Sequence, residues 1–306
     1  MRIVFMGTPA YATRILEGLL RDDSFEIVGL FTQADKPVGR KKILTPPHIK
    51  DFVLKSGYEI PIFQPKNLRG DGIEEQMRDL KPDFIVVAAY GQILPKNILD
   101  LCPCINLHAS ILPKYRGASP IQSAILANEK QTGVTSMLMD EGLDTGDILG
   151  FSYVDLDDEV TSLNLFDELS DMARDLSVKT LKNFENILAL PQNDTNSSKC
   201  SKISKKDGKV DILSQSAFEI YTKFRAFTPW PGIFLESGLK LINVKLKDKA
   251  SKKEPGEILA INKDETQIAC KEGILSIFEV QPPTKQKMSA YSYMQGLRKR
   301  VGDKLY

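Results

Sequence analysis

The first 32 residues restrict the fold more than any other stretch. Arg2–Met6 has the apolar composition of a buried strand, Gly7-Thr8-Pro9 interrupts it, and a helical pattern runs on to about Leu20 with Ile15, Leu16, Leu19 and Leu20 on one side. Thr8 suits an N-cap and Pro9 a first helical position. Glu26–Thr32 is a second strand. A strand-helix-strand order of this kind predicts a parallel sheet with a right-handed crossover. The turn is neither GxGxxG nor a P-loop, so it gives no dinucleotide fingerprint.

The same alternation continues. Helices are expected at His48–Ser56, from about Asp71 to Leu80, near Lys96–Leu101, at Ser119–Ala127 and at about Ser162–Leu188, with strands at Asp83–Ala88, Ile105–His108, Gly133–Met139 and Ile148–Val154. Between the second strand and the next helix lies a long loop, 33–47, with three prolines, a glycine and four basic residues against one Asp. The polar run Pro191–Lys199 has the composition of a linker. Beyond it come a helix at about Ser214–Ala226, several short strands and a final helix at Ala290–Arg300, a spacing that predicts a small barrel. The fold class is therefore α/β: a Rossmann-like, mostly parallel sheet over 1–190, a linker over 191–203 and a small β-barrel domain over 204–306.

Charge divides along the same line. Residues 1–195 carry 20 Lys/Arg and 28 Asp/Glu, a balance of −8; residues 196–306 carry 21 and 12, a balance of +9. The basic half suits contact with a polyanion, or lysine-rich loops that keep a small β domain soluble. Cysteines at 102, 104, 200 and 270 form no disulfide framework, and Cys102-Pro-Cys104 is too closely spaced for the usual zinc ligands. With His48 and His108 the two histidines of the chain, no His-rich metal site is expected. No apolar run reaches the ~18 residues of a membrane helix, and MRIVFMGTP reads as a core strand rather than a signal peptide. A reducing, cytoplasmic setting is expected.

Chemistry concentrates in Cys104–Ile121. Asn106 and His108 are two apart on a strand, so they share a face. At the carboxyl end of a central strand they would line the crevice where open α/β sheets bind ligands. A hydrogen-bonded structural Asn and a satisfied core His are the alternative. The turn Asp140-Glu-Gly-Leu-Asp-Thr-Gly-Asp147 supplies carboxylates. Asp144 is the candidate to orient the imidazole; Asp140, Glu141 and Asp147 are suited to capping and solvation. Ser110 lacks a nucleophile elbow. An Asn, a His and an Asp suit acyl transfer from a soluble donor to an amine: the amide holds the developing oxyanion, the imidazole moves protons, and the carboxylate fixes its tautomer.

Ile105-Asn-Leu-His-Ala-Ser-Ile-Leu-Pro-Lys-Tyr-Arg-Gly117 and Asp140–Asp147 together resemble the signature of the formyltransferases that use 10-formyltetrahydrofolate. Phe5–Pro9, Phe31–Lys42, Ala89-Tyr-Gly-Gln-Ile-Leu-Pro95 and Arg225-Ala-Phe-Thr-Pro-Trp-Pro231 extend the resemblance over nearly the whole chain. It implies a folate-binding first domain and an OB-like second domain that helps to hold initiator methionyl-tRNA, the formyl acceptor in translation initiation. It implies Asn106, His108 and Asp144 as the catalytic trio, and Ser110, Ile111, Leu112 and Pro113 as the folate-contacting segment. It also implies that the 33–47 loop reaches the acceptor end of the tRNA through Arg40, with Lys36, Lys41 and Lys42 beside it. No metal and a monomer are expected. A solvated surface loop is the plainer reading of those four basic residues, and Trp230 suits either base stacking or a structural place. The chain departs from the family with Ile111 for the commoner Leu, with Val210-Asp-Ile212 for Ile-Asp-Trp, and with its polar linker. A formyltransferase for a small amine, an amino-sugar nucleotide or a purine-pathway ribonucleotide, is the nearest rival; a non-catalytic RNA-binding protein is the other.

Overall fold

A computed structural model of the chain describes residues 1–39 and 41–305. In chain order its first part comprises β1 (Arg2–Gly7), α1 (Ala10–Leu20), β2 (Glu26–Phe31), β3 (Lys36–Val38), β4 (Ile43–Thr45), α2 (His48–Ser56), β5 (Ile62–Phe63), α3 (Ile73–Asp79), β6 (Phe84–Ala88), α4 (Lys96–Leu99), β7 (Cys104–His108), β8 (Arg116–Gly117), α5 (Pro120–Leu126), β9 (Gln131–Leu138), β10 (Ile148–Asp155), α6 (Ser162–Asn183) and β11 (Lys199–Cys200). Seven strands form one sheet in the order β10-β9-β7-β6-β1-β2-β5. β1 pairs in parallel with β2 and β6, as β6 does with β7 and β2 with β5, while β9 runs antiparallel to both β7 and β10. This is the mostly parallel sheet that the opening residues predict.

The pleat explains why β1 reads as a continuous apolar run. Val4 and Met6 point into a core with Ile85, Val87, Met77 of α3 and Ile98 of α4. Ile3 and Phe5 alternate with them and are equally buried, because the sheet is covered on both faces. Each such side chain contributes roughly 1.5–3 kcal/mol of burial. Gly7 has no room for a side chain: a Cβ there would lie 2.4 Å from that of Ala12. The helix start differs from expectation. Pro9 is the N-cap residue, and Thr8 instead donates from Oγ1 to the Tyr90 carbonyl (3.1 Å).

Several short strands escape the sequence reading, β5 and the pair β3 and β4 among them. β5 is a two-residue edge strand, too short to show a period. The 33–47 loop contains the hairpin β3–β4, paired Lys36 to Thr45 and Val38 to Ile43. Its base is tied down where Lys50 Nζ donates to both Asp35 oxygens (2.9 and 3.0 Å) and to Gln64 Oε1 (2.7 Å). Gln64 and Lys50 hold the Asp35 carboxyl below its ordinary range.

Contacts divide the chain into two units. The first contains 1–120, 130–156 and 165–201; the second contains 121–129, 157–164 and 202–306. The polar run that composition reads as a linker thus falls in the first unit as far as Ser201. The second unit holds α7 (Ala217–Phe227), β12 (Ile233–Phe234), β13 (Lys240–Asp248), β14 (Ile258–Ile261), β15 (Thr266–Ala269), β16 (Ile274–Gln281), β17 (Met288–Ser289) and α8 (Ala290–Gly296). Its strands form an antiparallel sheet in the order β12-β13-β16-β15-β14, with β17 also on β16. α7 opens on a capping box between Ser216 and Glu219. Val210 and Ile212 are buried, so the Ile found in place of the family's Trp occupies a core position. Trp230 is 57% exposed, so it is not a core residue. Among the described residues no helix is long and apolar enough to cross a membrane.

Candidate active site

β7 ends at the sheet's crevice, and its last residues present Asn106 and His108 on one face, 8% and 7% exposed. Asn106 lies between Val87 of β6 and Met137 of β9, and His108 opposite Thr135. The chain then folds back tightly. Ser110 Oγ donates to the Lys114 carbonyl (2.7 Å), Thr135 Oγ1 donates to the Ser110 carbonyl (2.6 Å), and Leu112 N donates to Thr135 Oγ1 (3.0 Å). This turn delivers Tyr115, whose backbone is left-handed (φ 60°), to the imidazole.

His108 Nε2 lies 3.0 Å from the Tyr115 carbonyl oxygen. A carbonyl can only accept, so Nε2 carries the proton and Nδ1 is left bare in the neutral ring. The tautomer is set by Tyr115, a backbone group invisible to residue-type reasoning, and not by Asp144 as the sequence suggests. Nδ1 faces Asp144 Oδ1 at 3.7 Å.

Asp144 is nearly buried, with 11% of its side chain exposed, and both oxygens are engaged. Oδ1 accepts from Asn106 Nδ2 (3.3 Å) and Oδ2 from the Gly117 amide (2.8 Å). Its backbone is also left-handed (φ 55°). The three expected residues therefore meet. One Nδ2 hydrogen of Asn106 bonds the carboxylate, and the amide's second hydrogen remains available to an incoming oxygen.

The other carboxylates of the turn do other work. Asp140 Oδ1 accepts from the Gly142 amide (3.0 Å) and Thr145 Oγ1 (2.7 Å), and Glu141 lies exposed near Lys96 (3.9 Å). Burial pushes the Cys104 thiol up to about 12 and Cys102 to about 11, so neither supplies a thiolate nucleophile. Among the described residues no group of three His, Cys, Asp or Glu is arranged to hold a metal ion. In the 110–113 segment the Ser110 and Leu112 side chains point inward, 0% and 2% exposed, while Ile111 and Pro113 are partly accessible. Lys36, Lys41 and Lys42 are exposed on the hairpin; Arg40 lies outside the described residues. Sequence reasoning missed Tyr115 and Gly117, whose backbone groups complete the site, and Gln192, whose amide reaches the Asp144 carbonyl (3.0 Å).

A Rossmann-like sheet with an amide, an imidazole and a carboxylate gathered beside β7 suits acyl transfer, and the family comparison makes the class formyl transferase. Residues 1–181 match the family model described as formyl transferase, and residues 202–298 match the formyl transferase C-terminal domain. The methionyl-tRNA formyltransferase of Nitratiruptor sp. is 54% identical over 306 residues, covering all of both chains. That of Sulfurimonas denitrificans is 52% identical over 305 residues, again at full coverage. The chain belongs to the methionyl-tRNA formyltransferase family. Two solved structures share its fold. A sugar 3N-formyl transferase crystallised with dTDP and 5-N-formyl-THF superposes with a TM-score of 0.67 at 21% identity, over 94% of this chain and 99% of its own. HypX from Aquifex aeolicus in complex with tetrahydrofolic acid gives 0.65 at 17% identity, over 98% of this chain and 48% of its own.

Proposed function

We propose that this protein transfers the formyl group of 10-formyltetrahydrofolate to the α-amine of methionine on initiator methionyl-tRNA, the step that prepares it for translation initiation. The observation that carries the mechanism is the junction of Asn106, His108 and Asp144 at one strand end. The free amine attacks the formyl carbon. As the carbonyl oxygen gains charge, the second Nδ2 hydrogen of Asn106 donates to it, a contribution on the order of 3 kcal/mol for a preorganised donor. His108 Nδ1, bare in the tautomer that Tyr115 imposes, accepts the proton lost by the attacking nitrogen. The imidazolium so formed faces Asp144. The bond from the formyl carbon to the folate nitrogen then breaks, and that nitrogen takes the proton back from Nδ1. One C–N bond forms, one breaks, and the site returns to its starting protonation.

Ile111 and Pro113, with the backbone of 110–113, supply the folate contact in this reading, and the buried Ser110 and Leu112 shape the turn. Lys36, Arg40, Lys41 and Lys42 of the 33–47 loop supply the tRNA contact. Three lysines exposed on a hairpin clamped at its base favour a polyanionic acceptor over a small amine. All three catalytic side chains come from one copy of the chain, which supports a monomer, and a methionyl-tRNA acceptor supports work in the cytoplasm beside the translation machinery. The test is formyl transfer from 10-formyltetrahydrofolate to initiator methionyl-tRNA, elongator methionyl-tRNA and an amino-sugar nucleotide. Transfer to the charged initiator is expected. Activity on the sugar alone would overturn the reading.

A further inference from the structure

The segment 190–201 has a composition that invites dismissal: PQNDTNSSK has no apolar residue beyond its proline. It also lies between the two family matches, which end at 181 and resume at 202. Yet its hydrogen bonds converge on the two loops whose meeting makes the site. We propose that this segment is a strap that sets the catalytic carboxylate, and that Gln192 is its positioning residue.

Gln192 uses both ends of its amide. Nε2 donates to the carbonyls of Asp144 (3.0 Å) and Gly146 (2.7 Å). Oε1 accepts from Arg116 Nε (3.1 Å) and Nη2 (2.8 Å). Arg116 has 7% of its side chain exposed, and its Nη2 also pairs with Asp194 (2.8 Å). One side chain thus links the loop after β9 to the loop after β7. The Asp144 backbone it grips is left-handed, a conformation uncommon outside glycine though open to Asp, and the two carbonyl bonds hold it there.

The rest of the strap acts on the imidazole side. β11 lies parallel to β8. Arg116 N donates to the Ser198 carbonyl (2.9 Å), Ser198 N to the Pro113 carbonyl (3.2 Å), and Tyr115 N to Ser198 Oγ (2.9 Å). Cys200 Sγ lies 3.2 Å from the Tyr115 carbonyl, the same oxygen that fixes His108. At the other end Leu190 and Ile148 exchange two backbone bonds (2.8 and 2.9 Å). The strap packs so closely that a Cβ on Gly117 would lie 2.1 Å from the Cys200 carbonyl. Its polar composition has a physical reason. A segment held through backbone and side-chain hydrogen bonds needs acceptors and donors, not apolar bulk.

The inference rests on the catalytic reading of Asp144 and His108, and the experiment separates the two. In the full chain, Gln192→Glu keeps an acceptor for Arg116 but loses both donors and turns an anionic oxygen toward the Asp144 and Gly146 carbonyls. Gln192→Ala removes both functions. Each is compared with Asp144→Asn for kcat, for KM toward charged tRNA and 10-formyltetrahydrofolate, and for melting temperature. The expected result is a kcat lower by about 10- to 100-fold in both Gln192 variants, with both KM values within about twofold and Gln192→Glu melting close to the parent. An inactive Asp144→Asn beside a fully active Gln192→Glu would overturn the positioning role alone. Losses in Gln192→Glu that follow melting and KM together would overturn it in favour of a merely structural strap. A fully active Asp144→Asn would remove the catalytic reading beneath it, and the positioning role with it.

Discussion

His108 and Asp144 meet through Nδ1 and Oδ1 at 3.7 Å, while the opposite ring nitrogen is held by the Tyr115 carbonyl at 3.0 Å. The pair is therefore asymmetric: one nitrogen is fixed to the backbone, and the other faces a carboxylate. Asp144→Asn keeps an oxygen for the Gly117 amide and removes the charge that faces the imidazolium. Its kcat is expected to fall by roughly 10²–10⁴-fold, with tRNA affinity measured by filter binding unchanged. A parallel loss of tRNA affinity would show that Asp144 holds the acceptor rather than the proton chemistry.

The trio was legible because strand periodicity places residues two apart on one face, and because one strand histidine and one acidic turn leave few combinations. The sheet was legible for the same reason, since β1, β6 and β7 are apolar runs bounded by turns. What stayed hidden depends on the backbone. No residue type announces that the Tyr115 carbonyl will turn toward His108, or that the Gly117 amide will reach Asp144. Gln192 was hidden by its setting: in a polar run, a glutamine with several hydrogen bonds looks like one with none. The exposure of Trp230 was equally illegible, because a large aromatic residue between prolines fits a core or a surface.

Lys41 and Lys42 stand exposed at the turn of the hairpin, whose base is clamped by Lys50 on Asp35. The double variant Lys41→Ala/Lys42→Ala is expected to raise KM for charged tRNA and to make its logarithmic salt dependence shallower by about 1–2. KM for the folate donor should not move. Stopped-quench assays across a salt series test this; an unchanged salt slope would show that the hairpin lysines are solvated in the complex.

Gly117 tolerates no side chain on two counts: its φ is +126°, and the strap carbonyl of Cys200 stands where a Cβ would go. Gly117→Ala is expected to cost about 1–3 kcal/mol from the backbone conformation alone, and more from the displaced strap. Because the same residue donates its amide to Asp144, turnover should fall with it. Urea unfolding and a single-turnover assay on one preparation give both values. A stable, active Gly117→Ala protein would show that β8 and β11 can separate without harm to the site.

Asp22 gives a pH dependence whose sign is fixed. Hydrogen bonds from Lys182 and from Ser24 pull its carboxyl from 3.8 down to about 2, and the Lys182 contact (2.6 Å) joins the residue just past α1 to the last turn of α6. A carboxyl more acidic in the folded than in the unfolded chain stabilises the fold above the unfolded value and loses that stabilisation as the pH falls through the folded one. The parent protein should therefore melt above Asp22→Asn at pH 7 and pH 5, the gap should narrow between about pH 4 and pH 2, and the two curves should coincide below it. Solvent reaches the pair, so the gap should also shrink in high salt. A gap independent of pH and salt would mean that the Asp22→Asn variant fails for want of a turn contact, since Asp22 Oδ1 also accepts from the Ser24 amide (3.0 Å), rather than for want of charge.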